Sequence, residues 1–115
     1  MKKHVKELGE ELLKFIERGK GSVSFVNVED FFKQHGVDYK GELALCSTRD
    51  PNIIYWVNWN ELALSIYQSI EDKIKKVPCS EFIYLIDGKS LKFPTVKSPI
   101  KYKTEHWLPV VLEAK

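Results

Sequence analysis

Residues 82 to 93 read FIYLI-DG-KSLKF, and no other stretch of the chain restricts the fold so tightly. Asp-Gly between two apolar runs is a strong short-range hairpin signal, because both central residues of a type I′ turn need positive φ. The spacing predicts a β-hairpin in which Tyr84 lies across from Leu91 and Phe82 across from Phe93. Those four side chains would share one face, and that face is expected to be core.

Upstream, the apolar period changes from two to between three and four. Val5, Leu8, Leu12, Phe15 and Ile16 recur at helical spacing with Lys and Glu between them, which predicts an amphipathic helix that stops at Gly19 through a positive φ. Ser22 to Val26 reads as a short strand, after which Asn27 is the expected N-cap of a second helix carrying Val28, Phe31 and Phe32 inward and ending at Gly36. GELALCS and NIIYWVN flank a cluster of turn formers, predicting a second hairpin over residues 41–57. Asn58 with Glu61 resembles a capping box. A third helix is therefore expected from Trp59 to about Lys76, with Leu62, Ala63, Ile66, Tyr67, Ile70 and Ile74 as its apolar stripe. Beyond residue 93, Pro94, Pro99 and Pro109 favour irregular or edge-strand structure before Val110 to Leu112 pack back, with Trp107 as an anchor.

This order gives an α+β fold: one winged helix-turn-helix-like domain over residues 1–115, with an extra β-hairpin inserted before the third helix. The insertion puts a recognition role for the third helix in question, and that helix's outward positions are polar without being basic. The length suits one domain with a core of its own.

The residues offer no catalytic constellation. His4, His35, His106, Cys46 and Cys79 are scattered singly, without the close pairs of a zinc site, so no metal and no cofactor is expected. Gly19-Lys20-Gly21-Ser22 lacks the first glycine of a phosphate loop and follows a helix rather than a strand. The amino-terminal stretch has glutamates where a signal peptide would be apolar, and nothing approaches the roughly 20 apolar residues of a membrane span. A cytoplasmic location and no membrane partner are expected.

The most informative charge feature runs from Gly88 to Thr104, which contains Lys89, Lys92, Lys97, Lys101 and Lys103 and no acidic residue. Lysines on a hairpin tip and its tail suit phosphate contacts, although they equally suit a solvated edge guarded against aggregation. Of the 18 basic residues only Arg18 and Arg49 are arginines, so any DNA contact would be weakly specific.

The stretches SFVNVEDFF, IIYWVNWNE, FIYLIDGKSL and YKTEHWLPV resemble small proteins encoded by prophages and pathogenicity islands of Gram-positive bacteria, over nearly the whole chain. The resemblance implies origin in a mobile genetic element; its motifs are structural and imply no mechanism. The expected function is a non-enzymatic accessory or regulatory protein that binds double-stranded DNA through the five lysines. The alternative is a protein-interaction module that binds a phage or host protein or a second copy of itself. For Trp56, Trp59 and Trp107 both an interface role and the commoner core role stand open.

Overall fold

A computed structural model describes residues 4–97 and 100–115. Helix α1 spans Val5–Arg18 and buries Leu8, Leu12 and Ile16 of the expected stripe, with Val5 and Phe15 half-buried beside them. Its end differs in detail: Gly19 stays helical at φ −75°, and the left-handed residues are Lys20 and Gly21.

The strand expected at 22–26 does not form, and its last two residues, Phe25 and Val26, open a helix. Helix α2 spans Phe25–Gln34, and its N-cap is Ser24 rather than Asn27. Ser24 Oγ accepts the Asn27 N–H at 3.2 Å while Asn27 Oδ1 accepts the Ser24 N–H at 3.0 Å, a reciprocal capping box that starts the helix three residues early. Only Val23 keeps strand character, in a single bridge to Leu112.

The middle hairpin is present. β1 (Lys40–Cys46) and β2 (Ile53–Trp59) pair antiparallel, and β4 (His106–Trp107) adds to β2 in parallel. Near the start of β1 the register slips, so that Lys40 and Leu43 both face Trp59. Gly41 lies in that bulge, where a Cβ would sit 2.7 Å from both the Asn60 Cα and the Trp59 carbonyl oxygen; only glycine lets the strands approach so closely.

The third helix is shorter than its apolar stripe. Helix α3 spans Glu61–Gln68, capped by Asn60 Oδ1 on the Ala63 N–H at 2.9 Å, whereas Asn58 and Trp59 remain in β2. A 3-10 turn at Glu71–Lys73 leads into β3 (Ile74–Pro78), which pairs antiparallel with β5 (Val110–Ala114). Ala63, Ile66, Tyr67, Ile70 and Ile74 are buried whereas Leu62 is exposed, so all of the expected stripe but its first residue is core, while the backbone beneath it changes from helix to strand. Pairing with β5 supplies the hydrogen bonds that a continued helix would have supplied internally.

The hairpin expected at 82–93 is absent, and with it the wing. Phe82–Ile86 form a short helix, α4. Asp87 lies at φ −76° and Gly88 at φ +90°, whereas a type I′ turn needs both positive. The Lys89 N–H donates to the Tyr84 carbonyl at 3.1 Å and the Gly88 N–H to the Leu85 carbonyl at 3.1 Å. This is the Schellman pattern of a helix stop, so the glycine's positive φ was rightly expected but serves a different motif. Of the four side chains expected to be core, Tyr84 is buried and Phe82 is exposed, with Leu91 and Phe93 half-buried.

Trp56, Trp59 and Trp107 are all buried in one continuous aromatic core. Phe25 lies against Trp56, Trp59 and Tyr67, and Tyr84 against Trp56 and Trp107. Among the described residues, no helix is long and apolar enough to cross a membrane.

Candidate functional site

Two features stand beside this core: a cleft built around Glu29, and the outward face of α4.

Glu29 is carried inward by α2 and is only 3% exposed. Such a carboxylate needs donors on both oxygens to be tolerated away from water. The Trp56 Nε1–H donates to Oε2 at 2.7 Å and the Trp59 Nε1–H to the same oxygen at 2.9 Å. Three positions apart, these two side chains would face opposite sides of a regular strand; the left-handed Asn58 between them, at φ +66°, interrupts the alternation, so that both are buried and both indoles reach the same acceptor. Lys89 Nζ donates to Oε1. The ammonium also lies 5.6 Å from the centroid of the Tyr39 ring. Burial opposes the charge on Lys89, but the hydrogen bond and charge of Glu29 outweigh it and hold its pKa above the usual value.

Glu29, Tyr39, Trp56 and Lys89 line a cleft of about 510 Å³ together with Lys40, Val57, Asn58 and Ser90. Its rim carries the Gly41 bulge and Asn58, whose φ of +66° is a left-handed conformation outside glycine.

The five lysines singled out by sequence therefore part company. Lys89 enters the cleft, while Lys92, Lys97, Lys101 and Lys103 are exposed and take no part in the salt bridges among the described residues. Lys101 comes close enough to Asp50 to favour its ionised form.

Helix α4 presents the second feature. Phe82 is 67% exposed, Ile83 39%, Leu85 52% and Ile86 84%, whereas Tyr84 is fully buried. The Tyr84 hydroxyl donates to the Val110 carbonyl at 2.6 Å and accepts the Phe25 N–H at 3.1 Å. Ser24 Oγ adds a bond to Asp87 Oδ2 at 2.8 Å. The helix is thus pinned by its one inward residue and its cap, with its remaining apolar side chains facing water. Sequence reasoning missed this face. The signal was the unbroken run FIYLI, which pairs no polar residue with its apolar ones and so leaves some apolar groups outside in any regular structure that is covered on one side only.

Among the described residues, no group of three or more His, Cys, Asp or Glu side chains is placed to hold a metal ion. Burial pushes the Cys79 thiol up, and burial with the charge of Glu105 does the same for Cys46, the opposite of what activates a nucleophile. Comparison with protein-family models, with curated proteins and with solved structures finds no match to this chain.

Proposed function

We propose that the chain is a non-enzymatic binding protein that docks another protein through α4. The observation that carries this reading is the exposure of Phe82, Ile83, Leu85 and Ile86 side by side on a helix that is itself firmly anchored. A contiguous exposed apolar patch on a small protein marks an interaction surface, since covering each such side chain is worth roughly 1.5–3 kcal/mol.

The partner is an apolar protein surface rimmed by acidic residues. The acid-free segment that follows α4 supplies Lys92, Lys97, Lys101 and Lys103, exposed and positive, which complement such a rim. An accessory or regulatory role in a mobile element is compatible with this binding mode.

The exposed lysines also favour a DNA-binding reading with a winged-helix-like arrangement, in which α1, α2, the β1–β2 hairpin and α3 keep part of the expected order. Two observations weigh against it. Residues 82–93 form no wing, and the exposed side chains of α3 are Glu61, Leu62, Ser65 and Gln68, without a base among them. An apolar helix also has no role on a phosphate backbone.

Fluorescence anisotropy with a labelled Leu/Glu amphipathic peptide and a labelled random DNA duplex separates the readings. The peptide should bind, and Ile86→Glu should weaken it by about tenfold or more, an effect of about 1.4 kcal/mol, with an unchanged circular dichroism spectrum. Salt-sensitive binding of the duplex with none of the peptide overturns the proposal, as does a dimer in light scattering that Ile86→Glu dissociates.

A further inference from the structure

The recognition set around Glu29 is the one that binds an alkylammonium group: a carboxylate, the face of an aromatic ring, and a surrounding cleft with room for a side chain. In this chain the ammonium is supplied from within, by Lys89. The two sides of the contact are held very differently. Glu29 belongs to a regular helix and is locked by two indole donors, so its position is set whether or not a cation is present. Lys89 follows the Schellman stop at the start of a stretch, 89–94, without regular secondary structure, and its side chain is 47% exposed. The carboxylate cannot leave, whereas the ammonium can swing into water by side-chain rotation and a small loop movement.

We infer that the cleft is a binding site for a primary alkylammonium, of the kind carried by a lysine side chain or a small aliphatic amine, and that Lys89 is its tethered occupant. An incoming ammonium would take over the bond to Glu29 Oε1 and the place over the Tyr39 ring, and its alkyl chain would lie along Val57 and Leu91, which line the cleft. Lys89 competes from a short tether, where its effective concentration is high, so the unmodified protein binds external amines weakly. Removing or distracting Lys89 opens the site. The inference does not depend on the α4 docking surface, and either can fail without the other.

The two indole N–H groups on Glu29 are built-in reporters, and the third tryptophan is a control. In the full chain with 15N-labelled tryptophan, n-butylammonium chloride should shift the Trp56 and Trp59 indole signals together and saturably in Lys89→Ala, while the Trp107 signal stays in place. The same titration of the unmodified protein should need about tenfold more amine or more. Sodium chloride at equal ionic strength and n-butanol should leave all three signals unmoved. A response of Lys89→Ala that matches the unmodified protein, that is reproduced by sodium chloride or butanol, or that moves all three indoles alike overturns the proposal. Glu29→Gln in the Lys89→Ala background should abolish the shifts. Should that variant fold poorly, a rise in the melting temperature with n-butylammonium, larger for Lys89→Ala than for the unmodified protein, is the second readout, and an equal rise in both counts against the site.

Discussion

Tyr84 and Tyr67 are both fully buried phenols, yet their hydroxyls differ completely. Tyr84 bonds Val110 and Phe25, whereas the Tyr67 hydroxyl has no partner among the described residues. Tyr84→Phe strands a buried carbonyl and a helix N-terminal N–H and should cost about 1–3 kcal/mol in denaturant unfolding, while Tyr67→Phe should be neutral or slightly stabilising. Asp50 behaves as a local clamp, accepting the Asn52 N–H at 3.0 Å and the Tyr102 N–H at 3.1 Å. The Tyr102 bond and then the Asn52 bond hold its carboxyl below the ordinary value near 3.8. A lowered folded pKa means that its stabilisation is present above that ordinary value and is lost as the pH falls through the folded one. Asp50→Asn should therefore flatten the acid limb of a melting-temperature profile below about pH 4, relative to the unmodified protein.

The elements show what local sequence can and cannot specify. Gly88 is needed for its positive φ whichever motif contains it, and Gly88→Ala should cost about 1 kcal/mol and fray α4, measured by thermal unfolding. Asp-Gly alone does not distinguish a hairpin turn from a helix stop; the decision comes from the Tyr84 hydroxyl and the Asp87 carboxylate, whose partners Phe25, Val110 and Ser24 lie far away in sequence. The same holds for the end of α3, where a helical apolar period at Ile66, Ile70 and Ile74 is kept as burial and broken as backbone by β5. By contrast α1 and the β1–β2 hairpin were legible, because a one-sided stripe and two β-rich runs around a turn carry their own instructions. The cap of α2 was misplaced by three residues for a purely local reason: Ser24 and Asn27 are the two halves of one capping box, and either can be taken for the start.

At the scale of the whole molecule, the acid-free segment was readable as a feature but not as a site. The cleft joins Glu29 to Lys89 across 60 positions and to Trp56 across 27, and no local pattern announces such a meeting. Its stability should be limited on the alkaline side. Burial raises both Tyr67 and Tyr84 well above the ordinary phenol value near 10, and Lys89 is raised as well by Glu29. Raised folded values mean stability that is complete below the unfolded pKa and is lost as the pH rises beyond it. Guanidinium midpoints should thus be level near neutrality and fall above about pH 10, with a shallower fall in Tyr67→Phe. The strand β5 has a consequence for biosynthesis. It is the only partner of β3 among the described strands, it reaches back to Val23 next to α2, and it covers α1. While the ribosome is still holding residues 110–114, β3 has no strand to pair with, and the part of α1 that β5 covers stays open although α1 can already pack on α2 and α3. The β3 edge and that part of α1 are therefore exposed to chaperones until β5 emerges to complete them.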